Sequence, residues 1–211
     1  MTRLAVATLN AGKVREFQEA LGTAFELVTA AEAGVGAFPD ETGASYEENA
    51  LIKAGHVAAA SGLPALADDS GLEVDALGGA PGVYTARFGG PGLTDGERMA
   101  HLLQRLRHVP DPARTARFVC VIVLATPAGA VEAFRGVSEG RILQGPRGAG
   151  GFGYDPIFGS NELGLSFAEA GIAQKRRVSH RGRALAAFRE WAASPEGAAV
   201  LTDTTRRDVE E

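Results

Sequence analysis

A chain of 211 residues can bury a sizeable core, as one large domain or as two closely packed lobes. Its 45% apolar and 22% charged residues are ordinary for a soluble globular protein, and a net charge of −5 argues against a general nucleic-acid binder, which presents a basic face. The single cysteine, Cys120, lies in an apolar run, which excludes an intramolecular disulfide and speaks against structural zinc; no apolar stretch has the length of a membrane span, and no signal sequence precedes the first strand-like run, so a cytoplasmic protein is expected.

Taken in order, Leu4–Leu9 reads as a buried strand that Asn10-Ala11-Gly12 breaks, and a helix pattern begins at Lys13 with Val14, Phe17 and Leu21 on one face. Strand, small-residue loop and helix N-terminus suit an anion, because free backbone N–H groups and the positive helix end face the loop, and Lys13 adds a full charge. The spacing is not that of a Walker A loop, and the same residues suit a plain strand-to-helix turn with a solvated lysine. Phe25–Thr29 gives a second strand, followed by a loop carrying Asp40 and Glu41. Ser45 with Glu48 forms a capping box for a helix over Ser45–Ser61, whose apolar surface includes Leu51, Ile52, Ala54 and Ala58. Lys53 lies beside that surface, where it either snorkels or points into a cleft.

After Leu63-Pro64, a short apolar run leads into Asp68-Asp69-Ser70-Gly71. A strand that ends in two carboxylates suits a hard cation such as Mg²⁺. Taken alone, however, the tetrapeptide reads first as a polar turn, since Asp, Ser and Gly dominate turns. Val83–Gly90 reads as partly ordered loop, and Thr94 with Glu97 caps a helix that turns Met99, Leu102, Leu103 and Leu106 inward. Arg117–Ala125 is apolar enough for a central strand buried on both faces, Val131–Val137 is its hairpin partner, and Glu139–Gln144 is a further strand. Glycine, at 28 residues, concentrates around 78–92 and 145–153. In the second of these regions Phe152 and Tyr154 stand among glycines beside Asp155, which suits a flat ligand stacking on a ring. Ser166–Ala170 reads as a helical turn, with Lys175, Arg176 and Arg177 beyond it. Ser179 caps a last helix, placing His180 and Arg181 in its first turn, where an arginine opposes the helix dipole and needs a polar or anionic partner. The expected architecture is an α/β fold: a mixed sheet flanked by helices, as one domain over 1–193 with a polar, frayed tail over 194–211.

Three signals converge. Thr8, Leu9, Asn10, Ala11, Gly12 and Lys13, with Lys53 and Lys175, are candidates for phosphate. Asp40, Glu41, Asp68 and Asp69 are candidates for Mg²⁺, and Phe152, Gly153, Tyr154, Asp155, His180 and Arg181 for a purine. Together they suggest a nucleoside triphosphate substrate and metal-assisted phosphoryl chemistry.

Six segments in this order resemble the non-standard purine nucleoside triphosphate pyrophosphatases, the inosine/xanthosine triphosphatase family. They are Ala7–Lys13 with Glu16, Glu48-Asn49-Ala50 with Lys53, Ala67–Leu72, Gly78–Tyr84 with Ala86-Arg87, Gly151–Phe158, and Ser179-His180-Arg181-Gly182. The resemblance implies a long twisted mixed sheet in two lobes with a central cleft, and a homodimer. It implies Mg²⁺-dependent hydrolysis of ITP, dITP and XTP to the monophosphate and pyrophosphate, which rids the nucleotide pool of deaminated purines. By the same resemblance Thr8 to Lys13 hold the triphosphate with Lys53 and Lys175 assisting, and Asp69 is general base and metal ligand. Ser70 contacts substrate, Phe152 stacks on the base beside Tyr154 and Asp155, and His180 and Arg181 read the purine edge. Asp68 is a support or second ligand. The chain departs from the family pattern in having Asp40 followed by Glu41 in the metal loop, which leaves open which of the two serves. It also has Gln174-Lys175-Arg176-Arg177-Val178 before Ser179. A pyrophosphatase for other modified nucleotides and a nucleotide-binding regulator without turnover are the alternatives, although unmetallated acids beside a phosphate site would repel a regulator's ligand.

Overall fold

The structure is a computed structural model and describes residues 1–203. Side-chain alternation sorts its strands into two faces. In β1 (Thr2–Val6), Leu4 and Val6 face one way, and Ala5, with Ala7 just beyond the strand, faces the other. β3 (Ala65–Val74) sets Leu66 against Ala65 and Ala67, and β4 (Thr115–Ala125) sets Cys120, Ile122 and Leu124 against Val121, Val123 and Ala125. The small-residue face receives α2 (Tyr46–Ser61) through Ala50, Ala54, Val57 and Ala58. The large-residue face receives α1 (Ala11–Leu21) through Phe17 and Leu21, and α5 (His180–Ala192) through Leu185 and Phe188. A fully buried side chain of this size contributes about 1.5–3 kcal/mol.

Among the described residues, six strands form one mixed sheet in the order β2-β1-β3-β4-β5-β6, with β2 being Phe25–Thr29, β5 Val131–Ile142 and β6 Phe158–Ser160. β2 and β3 run parallel to β1, whereas β6 is antiparallel to β5. This is the expected α/β sheet with flanking helices. The chain divides into two compact units, one of residues 1–69, 120–136 and 184 onward, the other of 70–119 and 137–183. The second unit has its own core, in which α3 (Asp95–Arg105) and the turn after it bury Leu102 and Leu106 with Leu72, Phe118, Tyr154, Phe158 and Phe167.

Several expectations are corrected. β3 does not end at its acids but runs through Asp68, Asp69 and Ser70 to Val74. Pairing with β1 stops at Val6↔Leu66, so the two carboxylates lie just past the carboxyl end of β1 and need not interrupt β3 itself. The two strands expected over 131–144 are one strand, β5. Gly140 continues it where a Cβ would press on the Phe158 ring and the Gly159 carbonyl of β6. Gly82–Arg87 is a 3-10 turn rather than partly ordered loop, and Lys175 lies in a short helix, α4 (Ile172–Val178). Leu51 is exposed; the buried stripe of α2 runs instead through Asn49, Ala50, Lys53, Ala54, Val57 and Ala58. Pro195–Asp203 of the expected tail forms α6, with Leu201 buried in the first unit's core, and residues 204–211 of that tail lie outside the described residues.

Candidate functional site

The first unit gathers charge around Asp68 and Asp69. Both are buried, and each meets a lysine from a different helix. Lys13, in the first turn of α1, places Nζ 3.0 Å from Asp68 Oδ2. Lys53 of α2 donates to Glu41 Oε1 at 2.6 Å and to the Asp68 carbonyl at 2.8 Å, and its Nζ lies 3.7 Å from Asp69 Oδ1. One turn earlier on the same face, Asn49 donates Nδ2 to Asp69 Oδ2 at 3.3 Å and accepts the Gly43 N–H through Oδ1 at 2.8 Å. Thus α2 both fixes Asp69 and tethers the loop that carries Asp40 and Glu41. Burial pushes the Asp69 carboxyl above the ordinary range, with the Glu41 charge adding to the rise; Lys53, the Asn49 hydrogen bond and Lys13 oppose it. For Lys53, burial works against the charge, but Asp68, Asp69 and Glu41 together outweigh it and raise its pKa.

Glu41 is therefore drawn to the acids through Lys53. Asp40 is exposed and has no hydrogen bond or ion pair among the described residues. Among those residues no group of three or more His, Cys, Asp or Glu is arranged to hold a metal by itself.

The loop before α1 differs from its expected form. Asn10 is the N-cap, so the helix starts at Ala11 and not at Lys13. Its Oδ1 accepts the N–H groups of Gly12 at 2.9 Å and Lys13 at 3.2 Å, while Thr8 Oγ1 accepts that of Asn10. Three of the donors expected to be free, the N–H groups of Asn10, Gly12 and Lys13, are satisfied within the loop. What the loop presents is the ammonium of Lys13, the positive helix end and the exposed side chain of Leu9.

The second unit assembles the remaining candidates. Asp155 is buried and accepts two bonds through Oδ2, from the Phe152 N–H at 2.9 Å and from Lys175 Nζ at 2.6 Å. Gly151 must be glycine: its φ is +72°, and a Cβ would fall on the Asp155 carboxylate. Phe152 remains 39% exposed, with Lys175 Nζ 5.0 Å and the Arg181 guanidinium 5.9 Å from its ring centroid. Arg181 is 2% exposed and donates to Ser70 Oγ at 3.0 Å, the polar partner its place at a helix N-terminus called for. Ser179 caps that helix by accepting the Gly182 N–H. His180 is buried and stacks on Phe118 at 4.7 Å. Tyr154 points into the core, its hydroxyl donating to the Thr85 carbonyl at 3.2 Å, and burial pushes its pKa well above the usual phenol value. Lys175 thus keeps company with Phe152 and Asp155 in the second unit, whereas Lys13 and Lys53 belong to the first.

Asn49 is the main functional side chain that sequence reasoning passed over without a role. A buried amide four residues before a buried lysine, on an otherwise alanine-lined helix face, was the available signal.

A mixed α/β sheet with paired, lysine-bound carboxylates and a glycine-rich aromatic loop backed by cations fits a class of proteins that handle phosphorylated ring compounds. The chain belongs to the Ham1 family, whose sequence pattern matches residues 4–191. It is 56% identical over 189 residues to a Thermus thermophilus protein named dITP/XTP pyrophosphatase, covering 89% of this chain and 90% of that one. The solved structure of a HAM1 protein from Coxiella burnetii superposes with a TM-score of 0.82 at 40% identity, over 96% of this chain and all of that one. A nucleoside-triphosphatase / dITP/XTP pyrophosphatase from Mycobacterium abscessus gives 0.73 at 43% identity, over 88% and 98%. Membership bears out the resemblance drawn from the six segments.

Proposed function

We propose that this protein hydrolyses dITP, ITP and XTP to the nucleoside monophosphate and pyrophosphate. The observation that carries the reading is Asp69: a buried carboxylate of raised pKa, held by Asn49 and Lys53 beside Glu41. A carboxylate pushed towards neutrality is a better proton acceptor than an ordinary aspartate, and Asp69 takes the proton of the water that attacks the α-phosphorus. The bond from that phosphorus to the bridging oxygen breaks, and pyrophosphate leaves with the electron pair.

Glu41 and Asp69 are the ligands we propose for Mg²⁺. Both converge on Lys53 Nζ, which marks a point where positive charge is favoured, and their oxygens are the donors a hard cation prefers. Mg²⁺ is ordinarily bound by one or two carboxylates together with substrate phosphates, so a pair without a third acid fits it. When bound, the ion supplies charge neutralisation for the triphosphate and polarisation of its oxygens. Asp68 supports the site by holding Lys13, and Lys13 and Lys53 attract the triphosphate.

The base is assigned to the second unit. Phe152 offers a ring face, with Lys175 and Arg181 as neighbouring cations, and His180 precedes Arg181 in the same helical turn. Hypoxanthine and xanthine carry oxygen at position 6, which accepts from such donors, whereas the amino group of adenine confronts them. A donor left unpaired on burial costs about 1–3 kcal/mol, or roughly 10- to 100-fold rejection per contact. The protein is further proposed to act as a homodimer in the cytoplasm; no helix among the described residues is long and apolar enough to cross a membrane.

The test is Asp69→Asn. Turnover falls by about 10²–10⁴-fold, the usual weight of a general base, while binding of dITP measured by calorimetry persists. Retained turnover removes Asp69 as the base, and binding without turnover in the parent protein makes the chain a nucleotide-binding regulator.

A further inference from the structure

The loop that carries Phe152 is held by a residue with no assigned role. Asp95 opens α3 but does not cap it. The helix end is closed by its own neighbours: Thr94 Oγ1 accepts the Glu97 N–H at 3.3 Å, and the Glu97 carboxylate takes the Thr94 N–H at 2.8 Å and its hydroxyl at 2.7 Å. The Asp95 carboxylate is therefore available for another task. Its Oδ2 accepts the N–H of Gly153, 58 positions further along the chain, at 2.9 Å. Hydrogen bonds to a carboxylate are among the stronger ones a backbone N–H makes.

The position of that bond matters. The Gly153 nitrogen belongs to the peptide plane that follows Phe152, and the Phe152 nitrogen belongs to the plane that precedes it. The second plane is already held by Asp155 Oδ2 at 2.9 Å. Asp95 holds the first, and Gly153 itself sits at φ +59°, a conformation open chiefly to glycine. One residue on, the Tyr154 hydroxyl is tied to the Thr85 carbonyl, and the Thr85 hydroxyl accepts the Leu72 N–H at 2.8 Å. With both flanking peptide planes fixed by carboxylates, the Cα–Cβ bond of Phe152 has one direction, and its exposed ring is aimed rather than free to sweep.

We propose that Asp95 is a positioning residue for the base platform, acting on substrate through the Phe152–Gly153 peptide. The proposal rests on the reading that Phe152 receives the base. Because the ring contributes to binding and not to the bond cut, loss of Asp95 loosens KM and spares kcat. The bond is solvent-exposed, so its effect is a few-fold and not a collapse.

The experiment compares Asp95→Ala, Asp95→Asn and Phe152→Ala in the full chain, with steady-state kinetics on dITP and thermal melts of each variant. Asp95→Ala is expected to raise KM by about threefold to tenfold, the range of one exposed hydrogen bond, with kcat and melting temperature nearly unchanged. Asp95→Asn keeps an acceptor oxygen and restores KM to within about twofold of the parent. An unchanged KM in Asp95→Ala, alongside a raised KM in Phe152→Ala, overturns the role of Asp95 and leaves the base platform standing. A fall in kcat that follows the melting temperature, without rescue by Asn, reduces Asp95 to a structural residue and also overturns it. If Phe152→Ala itself leaves KM unchanged, the base platform fails and this inference with it.

Discussion

Replacing Lys53 with methionine keeps the side-chain stem and removes the ammonium from among Glu41, Asp69 and the Asp68 carbonyl. The side chains of Lys53 and Asp69 are each 10% exposed, so Asp69 cannot recover its lost partner from bulk water; Glu41 is 37% exposed and can. Breaking a buried ion pair by removing one partner costs about 3–5 kcal/mol, and the share due to Glu41 must be discounted for solvent screening, which leaves about 2–4 kcal/mol. The pH dependence follows from Asp69. Its folded pKa is raised by burial, so its ionisation opposes folding; that penalty is absent below the unfolded value of about 3.9 and grows as pH rises towards the folded one. Removing Lys53 takes away the strongest influence opposing that rise and enlarges the penalty. The loss in Lys53→Met is thus largest near neutrality and shrinks as pH falls towards about 4. Lys53 itself has a raised pKa, so its own contribution is complete below about 10.4 and does not vary across this window. Urea unfolding followed by Trp191, which packs in the core of the same unit, measures the change. A double-mutant cycle with Asp69→Asn should show coupling of about 1–2 kcal/mol, the double variant being less destabilised than the sum. A Lys53→Met protein within about 0.5 kcal/mol of the parent, or strict additivity in the cycle, refutes the reasoning.

Two further outcomes can be measured, one at an exposed carboxylate and one on the proposed homodimer. A hydrogen bond from the Thr115 hydroxyl, aided by Arg117 and opposed by burial, lowers the Asp75 carboxyl below its ordinary range; its stabilisation is present above the unfolded pKa and is lost as pH falls through the folded one. Asp75→Asn should therefore cost about 0.5–1 kcal/mol at pH 7, a figure kept small because the site is largely exposed, and progressively less as pH falls below the unfolded value of about 3.9; a cost that does not shrink with acid contradicts this. Light scattering should give twice the chain mass of 21.8 kDa, and a single chain mass removes the dimer.

The elements that were legible are those whose signal is local. Leu4 and Val6, the Thr94–Glu97 capping box and the Ser179 cap can each be read within a few residues, and all stand where expected. The elements that misled depend on distant partners. Asp68-Asp69 looks like a turn because two acids in a strand are costly alone; they stay in β3 because Lys13 and Lys53 arrive from two helices to meet them. The break expected between Val137 and Glu139 does not occur, because β5 runs unbroken through Ser138 to Ile142 and its far end is paired with β6. Asn10 is a different case, since the signal was present. Asparagine is a preferred N-cap, but the apolar periodicity of Val14, Phe17 and Leu21 drew the helix start to Lys13 and left the Asn10 cap unread. For the site, the residue types and their order were readable, but the grouping of Lys175 with Phe152 and Asp155, and the double role of Asn49, required the fold.

The most direct test of the account is pyrophosphate release, measured with Mg²⁺ on dITP, XTP, dATP and dGTP at equal concentration. Release from dITP and XTP should exceed that from dATP by at least about tenfold, the weight of one mismatched contact at position 6, and should also exceed that from dGTP, which shares the 6-oxygen and differs at its 2-amino edge. Comparable rates on all four nucleotides would contradict the assignment of Phe152, Lys175 and Arg181 as a platform that selects the base.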